Sequence, residues 1–379
     1  MKQGVTKRIF CLGFIMMAFL SLFQIRVGAV TTNQSNGSVD LVGKSAIVMD
    51  LQTQTILYEK DINVKHYPAS ITKIMTALLT IENCKGDETV TFSNEAVNGI
   101  ERGSSAALVN IGEKITVDQA LHGLLLISAN DIAAGLAEHV SGTQSAFAEK
   151  MTEKAKELGC KNTHFVNPHG LNNEQHYTTA YDMALIAKKA YSKEEFRKII
   201  KTTYYQLPKT NKSKVARNWY NSNRMIQQGT AYYDSRCLGG KTGYTIAAGG
   251  TLVTFGNING RVVICVVLQS KNSASAYVDS SKLYDYTKKN MDVAALEAKD
   301  SKTSATTETK VQTTEKKTNV SSNEKTKGIF GTYIMPNKGI IIKVIVVLAV
   351  LLVLRRMHTI RMRKKRRAEA AKRRRKKRK

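Results

Sequence analysis

The sequence contains no CxxC pair and no cluster of cysteine and histidine with zinc-ligand spacing, so its five cysteines predict no metal site. Cys11 lies in an apolar N-terminal stretch that we expect to be removed. The other four cysteines permit three disulfide pairings, and their spacing does not choose among them. Free thiols, mostly buried, are the simpler expectation. These four are Cys84, Cys160, Cys237 and Cys265.

Aromatic residues are missing from the basic C-terminus, which has 16 Lys or Arg and one Glu between Arg355 and Lys379. This segment carries +15 of the formal net charge of +28. Nucleic-acid binding favours a folded or aromatic-interleaved basic surface, so we expect no nucleic-acid partner.

An apolar run, Ile340 to Leu354, directly precedes this basic segment and is broken only by Lys343. A basic cluster after such a run is typical of the cytoplasmic flank of a membrane anchor. We predict a transmembrane anchor over residues 336–356 and a cytoplasmic tail over 357–379 that binds anionic lipids.

Large apolar residues are scarce just before the anchor. Residues 301–327 contain no aromatic side chain and hardly any large aliphatic one, so this segment cannot bury enough surface to fold. We predict a flexible Ser/Thr/Lys/Glu linker over residues 291–335.

The N-terminus has the pattern of a signal peptide over residues 1–29, followed by a spacer over 30–42. Basic residues precede an apolar stretch, and Val27-Gly28-Ala29 suits a cleavage site. An uncleaved N-terminal anchor is the alternative. In both cases the following domain is extracytoplasmic, at the outer face of the cell membrane.

The remaining residues, 43–290, form one folded unit with strand patterns at its two ends and helical patterns between them. Asn259-Gly260 predicts a hairpin near the C-terminal end. We expect an α+β fold in which an antiparallel sheet from both ends packs against a helical subdomain. The predicted strands are 45–50, 55–58, 250–256 and 261–268, and the predicted helices are 71–82, 117–127, 131–140, 146–158 and 180–191, the last capped by Thr178 or Thr179.

Three short motifs carry candidate chemistry, although each alone has an ordinary structural explanation. Ser70 and Lys73 lie three residues apart on one helix face, and a lysine with a lowered pKa can take the proton of a serine. Ser128-Ala129-Asn130 lies between two helical patterns, where a hydroxyl and an amide could face a cleft.

The third motif, Lys241-Thr242-Gly243-Tyr244, precedes the hairpin. Its lysine and threonine could bind a carboxylate, and Gly243 permits another backbone to approach closely. Gly240-Lys241-Thr242 also matches the end of a phosphate-binding loop, but that loop needs a glycine where Ser235 stands.

In this order, the motifs resemble the signature of penicillin-binding proteins and class A β-lactamases. Further stretches are similar to the D-alanyl-D-alanine carboxypeptidases, the low-molecular-mass penicillin-binding proteins. These stretches are Tyr58-Glu59-Lys60, residues 67–76, Asn167-Pro168-His169-Gly170-Leu171, residues 177–183 and residues 241–245. The resemblance covers residues 43 to 285 and implies a transpeptidase-like fold of the β-lactamase and penicillin-binding-protein type.

The resemblance implies a serine-type carboxypeptidase that acts on peptidoglycan stem peptides. Ser70 would attack the carbonyl of the penultimate D-alanine, and Lys73 would accept its proton. Ser128 would relay this proton to the leaving D-alanine, while Asn130 positions the peptide.

Carboxylate recognition is implied for Lys241 and Thr242, next to Gly243. The backbone N–H groups of Ser70 and Tyr244 would form the oxyanion hole. Water would hydrolyse the acyl-enzyme, β-lactam antibiotics would be covalent inhibitors, and no metal or cofactor is implied.

Three alternatives stay open. A β-lactamase shares the motifs, but its class A form uses a glutamate to activate water. Glu174 is the nearby candidate and lacks the usual Glu-x-x-Leu-Asn context, and Ala129 in place of aspartate also favours the carboxypeptidase. A D,D-endopeptidase or transpeptidase would use the same residues. A non-catalytic wall-binding scaffold is disfavoured because the motif residues are all intact.

Overall fold

The structure is a computed structural model, and it describes residues 39–301. The predicted signal peptide, transmembrane anchor and basic tail, and most of the predicted linker, lie outside this range. Between residues 39 and 301, no helix combines the length and the apolar composition needed to cross a membrane.

Nine strands occur in the described part of the chain. Five come from the two ends of this part and form the main sheet, and the other four form two small ribbons beside the helices. They are β1 (Ser45–Asp50), β2 (Ile56–Lys60), β3 (Thr89–Thr91), β4 (Lys114–Thr116), β5 (Tyr204–Leu207), β6 (Arg217–Tyr220), β7 (Cys237–Thr245), β8 (Gly249–Ile258) and β9 (Arg261–Ser270).

The main sheet has five antiparallel strands in the order β2-β1-β9-β8-β7. The strands β3 and β4 pair with each other, as do β5 and β6. The β8–β9 turn has positive φ at both Asn259 and Gly260, which confirms the predicted hairpin. The N-terminal strand β1 pairs with β9, which confirms that both ends of the domain build one sheet.

Apolar cores lie on both faces of this sheet. Along β1, Ile47 and Met49 belong to the larger core, while Ala46 and Val48 belong to the smaller one. Because side chains alternate along a strand, a strand between two cores has to be apolar throughout. This is why β1 reads as a continuous buried run rather than as an alternating pattern.

Most helices lie between β2 and β7 in the chain and pack on the larger core. The described helices are α1 (Lys73–Asn83), α2 (Asn94–Asn98), α3 (Val117–Leu126), α4 (Asn130–Ser141), α5 (Gln144–Glu157), α6 (Ala180–Tyr191), α7 (Glu194–Ile200), α8 (Ser273–Asn290) and α9 (residues 293–301).

The five predicted helices are all present, and the bounds of α6 match the prediction. Thr179 caps α6, since its hydroxyl oxygen accepts the N–H of Asp182 at 3.1 Å. The long helix α8 was not predicted. Its buried face includes Asp279, Ser280 and Tyr284, so the apolar periodicity that identifies a helix is weak there.

The prediction of a flexible linker is wrong for its first residues, because residues 293–301 form the helix α9. Asp292 caps this helix by accepting the N–H of Ala295 at 3.0 Å, and Leu296 is buried. Asp300 pairs with Arg261 of β9 at 2.7 Å. The folded unit therefore extends to at least residue 301, and the low apolar content of the whole segment had concealed a short helix with one anchoring leucine.

Replacement of Leu296 with alanine tests whether α9 is part of the folded unit. We expect Leu296→Ala to lower the free energy of unfolding by about 2 kcal/mol, because a buried leucine side chain is lost. Glu297→Ala removes an exposed side chain one position away and should change it by less than about 0.5 kcal/mol. Equal denaturation midpoints for the two variants would mean that α9 does not contribute to stability.

Candidate active site

Ser70 lies on a short 3₁₀ turn, Ala69–Thr72, that leads directly into α1. Ala69 has a φ of +49°, a left-handed conformation that is unfavourable for alanine. A Cβ atom on Gly170 would lie 1.9 Å from the carbonyl oxygen of Ala69, so the loop containing Gly170 is pressed against this turn. The loop and the turn together fix where Ser70 stands.

Lys73 is the first residue of α1 and is fully buried. Its Nζ lies 3.0 Å from Oγ of Ser70. It also donates to Oδ1 of Asn130 at 2.6 Å and to the carbonyl oxygen of His169 at 2.7 Å. Both acceptors are carbonyl oxygens, which have no proton to give.

The pKa of Lys73 is lowered well below its usual value, first by burial and second by the charge of Lys241. Burial also lowers the pKa of Lys241, to about 7. Asp131 acts in the opposite direction on Lys73 but is the smallest of the three influences. The two buried amines therefore disfavour being charged at the same time.

Ser128 and Asn130 lie at the junction of α3 and α4, as the sequence predicts. Ser128 has a φ of +62°, and its buried hydroxyl has no hydrogen-bond partner within the described residues. Asn130 begins α4, and its N–H donates to the carbonyl oxygen of Ser105 at 2.8 Å. The structure brings Asn130 into contact with Lys73 and leaves the Ser128 hydroxyl without a partner among the described residues.

The third motif lies on β7, the last strand at one side of the sheet. A Cβ atom on Gly243 would lie 2.4 Å from Oγ1 of Thr251 and 2.8 Å from the backbone nitrogen of Ser70. Only glycine fits this gap, as expected from the sequence. Tyr244, the next residue, is half exposed at 54%.

Lys241 and Thr242 have different surroundings on the same strand. Lys241 is buried, and its Nζ donates to the carbonyl oxygen of Thr242 at 2.8 Å. The hydroxyl of Thr242 contacts that of Ser222 at 2.9 Å. Sequence reasoning missed Ser222, whose N–H donates to the carbonyl oxygen of Leu126 and so joins β7 to the end of α3.

The loop that contains His169 contacts Lys73 through a backbone carbonyl oxygen. The pattern of side chains in the sequence cannot predict such a contact. His176 anchors this loop: its Nδ1 accepts the N–H of Val166, so its Nε2 donates to Thr72 at 2.9 Å. Burial lowers the pKa of His176, and also that of His169, to about 3. Both imidazoles are therefore neutral, which favours a structural role.

Glu174 lies on the wall of a neighbouring cavity of about 530 Å³ that also includes Lys65, Tyr67 and Tyr177. Its side chain is exposed. Within residues 39–301, no hydrogen bond joins Glu174 to Ser70 or Lys73. This placement gives no support to Glu174 as a water-activating residue.

Comparison with known proteins agrees with the family resemblance of the three motifs. A family model described as D-alanyl-D-alanine carboxypeptidase matches residues 29–272, which include all three motifs. The D-alanyl-D-alanine carboxypeptidase DacF of Bacillus subtilis is 36% identical over 249 residues, covering 64% of this chain and 61% of that protein. The D-alanyl-D-alanine carboxypeptidase DacC of Escherichia coli is 32% identical over 275 residues, covering 70% and 66% respectively.

The chain thus spans slightly less than two thirds of the length of these two relatives. Among solved structures, the crystal structure of a Streptomyces DD-transpeptidase matches with a TM-score of 0.61 and 29% identity. The match covers 66% of this chain and 98% of that one. This similarity confirms the predicted α+β fold.

The influence of Lys241 on Lys73 can be measured by NMR titration of protein labelled with ¹³C at the lysine side chains. We expect Lys241→Gln to raise the pKa of Lys73, because a nearby positive charge is removed. Burial is the larger cause and remains, so the pKa of Lys73 should stay below 10.5. Lys198→Gln also removes one positive charge, but from an exposed site on α7, and should leave the pKa of Lys73 unchanged. An equal effect of both variants would show that the two amines do not interact.

Proposed function

The chain belongs to the D-alanyl-D-alanine carboxypeptidase family, and we propose that it removes the terminal D-alanine from peptidoglycan stem peptides through an acyl-enzyme on Ser70. The observation that carries this proposal is the environment of the Lys73 amine. A neutral amine has two N–H donors and one lone pair. Its donors are used by Asn130 and His169, so the lone pair is left for the hydroxyl proton of Ser70.

Acylation follows from this arrangement. Oγ of Ser70 forms a bond to the carbonyl carbon of the penultimate D-alanine as its proton passes to Nζ of Lys73. The C–N bond to the terminal D-alanine then breaks, and the proton that Lys73 accepted passes through the hydroxyl of Ser128 to the leaving amine, which returns Lys73 to its neutral form. That hydroxyl has no hydrogen-bond partner within the described residues, so the relay requires it to bond to Lys73 and to the leaving amine once the substrate is bound. Water subsequently hydrolyses the ester and regenerates Ser70.

Substrate binding is proposed for the edge of β7. An extended peptide can pair with an edge strand through main-chain hydrogen bonds. Lys241, in its charged form, and the hydroxyl of Thr242 would bind the terminal carboxylate. A Cβ atom on Gly243 would lie 2.8 Å from the nitrogen of Ser70, so this part of β7 lies against the turn that carries Ser70. This contact supports the proposal that the N–H groups of Ser70 and Tyr244 form the oxyanion hole.

Transpeptidation is a second candidate, and the structural similarity to a DD-transpeptidase favours it. The acyl-enzyme is the same in both reactions, and only the acceptor differs. An amine in place of water would form a new peptide bond. β-Lactams would acylate Ser70 in either case, since they present a reactive carbonyl and a carboxylate to the same groups.

The location of the enzyme is a further part of the proposal. A signal peptide over 1–29 and an anchor over 336–356 would hold the catalytic domain at the outer face of the cell membrane. The basic tail over 357–379 would contact anionic lipids on the cytoplasmic side. Peptidoglycan stem peptides are found outside that membrane, so substrate and active site would share one compartment.

Ser70→Ala tests the chemical assignment. With a peptide ending in Lys-D-Ala-D-Ala, we expect the variant to lose D-alanine release by at least about 10³-fold, because the nucleophile is absent. Covalent labelling by a fluorescent penicillin should be lost as well. Labelling that persisted in Ser70→Ala would contradict the assignment of Ser70.

The unsubstituted protein distinguishes the related reactions in the same assays. D-alanine release with a long-lived penicillin label supports a carboxypeptidase. A label that disappears within seconds without D-alanine release indicates a β-lactamase, and transfer of the peptide to added glycine indicates transpeptidation. Absence of both release and labelling would leave a wall-binding scaffold.

Deletion of residues 336–379 tests the proposed anchor. We expect the shortened protein to move from the membrane pellet to the soluble fraction, because the only long apolar run after the folded unit is removed. Penicillin labelling should remain, since the motifs lie within residues 70–244. Continued sedimentation with membranes would mean that another segment anchors the protein.

A further inference from the structure

Three metal-binding side chains meet at the end of the helical subdomain opposite to the active site. Cys84, Glu88 and His139 each place a ligand atom within 4.8 Å of the other two. Among residues 39–301, no other three His, Cys, Asp or Glu side chains bring their ligand atoms this close together. We propose that these residues bind a Zn²⁺ ion, a site that the spacing of the cysteines and histidines did not predict.

The geometry of the three side chains is already partly fixed. Oε2 of Glu88 lies 3.3 Å from Nε2 of His139. The other oxygen of Glu88 accepts the backbone N–H of Lys85 at 2.7 Å, which holds the carboxylate in this orientation. Cys84 follows α1 directly as its C-cap, and His139 lies in the last turn of α4. Only small side-chain movements are needed to bring the ligand atoms to 2.0–2.3 Å from a shared ion, the distances that are usual for zinc.

The chemistry of the donors selects the ion. A thiolate and an imidazole are poor ligands for Mg²⁺ and Ca²⁺, which prefer oxygen, but they suit Zn²⁺. Zinc is usually four-coordinate, so a water molecule would complete the site. Binding requires the thiolate, and the thiol proton of Cys84 is therefore released to solvent when the ion enters. The carboxylate and the imidazole are partly exposed, at 41% and 23%, which gives the ion a path from solution.

The position of the site connects it to the catalytic centre. The helices α1 and α4 begin with Lys73 and Asn130, which are hydrogen-bonded to each other. The same two helices end beside Cys84 and His139. With about 1.5 Å of rise per residue, an 11-residue helix separates the two ends by about 16 Å. A bound ion would thus join the far ends of the helix pair whose near ends hold the buried amine.

Titration of the reduced full-length protein with Co²⁺ tests the proposal without any use of enzyme activity. Bound at Cys84, Co²⁺ should give a thiolate-to-metal charge-transfer absorption in the near ultraviolet that saturates at one equivalent and is displaced by Zn²⁺. Cys84→Ser should abolish this absorption. His139→Gln should weaken binding by about tenfold or more, because one of three protein ligands is lost.

The matched control is His122→Gln, which disrupts the other histidine–carboxylate pair among the described residues. Nδ1 of His122 lies 3.6 Å from Oδ2 of Asp118, both on α3, and this pair includes no thiol. This variant should keep the absorption and the affinity for Co²⁺. As a second measurement, Zn²⁺ should raise the melting temperature of the unsubstituted protein and of His122→Gln, but not that of Cys84→Ser.

Two results would overturn the proposal. One is the absence of the charge-transfer absorption after several equivalents of Co²⁺. The other is an absorption that persists in Cys84→Ser, which would assign it to a different cysteine. Neither result depends on D-alanine release or on penicillin labelling, so failure of this site is distinguishable from failure of the proposed enzymatic function.

Discussion

The burial of a single amine, that of Lys73, constrains most of the active site. An ammonium ion without water is costly, so the environment favours the neutral form. A neutral amine in a protein interior still needs acceptors for its hydrogens. These come from two separate elements, the start of α4 and the loop that contains His169. The positions of α1, α4 and this loop are consequently interdependent. His176 donates to Thr72 in the turn before α1, and Thr76 of α1 donates to the carbonyl oxygen of Pro168, so these bonds also tie the loop to this region.

The turn that carries Ser70 is held from two sides. Gly170 presses on the carbonyl of Ala69, and the hydroxyl of Thr251 on β8 donates to the carbonyl of Pro68 at 2.8 Å. These contacts stabilise a backbone that alanine at position 69 does not favour on its own. Strain of this kind persists only where the surroundings determine it fully. The sheet therefore contributes to the placement of Ser70, the proposed nucleophile, as well as to the edge along which a substrate could lie.

The sequence predicted the parts of the fold and site that depend on local pattern. Helical periodicity located α1 and α6, and Asn259-Gly260 located the hairpin, because these signals lie within a few neighbouring residues. The motifs likewise placed Ser70 beside Lys73. The carbonyl of His169 and the hydroxyl of Ser222 were not predictable in this way, since both act through contacts between distant segments. Helices α8 and α9 were missed because polar or small residues form much of their surfaces, and Cys84 meets His139 only after two helices have packed.

The pairing of β1 with β9 has a consequence for how the chain reaches its native state. Val48 lies opposite Cys265, so the central strand pair joins residues from the two ends of the folded unit. Loop closure on this scale is slow, whereas the helices between the strands can form from local contacts. During synthesis, β2 can pair with one edge of β1 early, but the other edge of β1 has no partner until nearly the whole domain has emerged. The interval leaves one edge of an apolar strand unpaired and exposes it to aggregation until the last strands arrive.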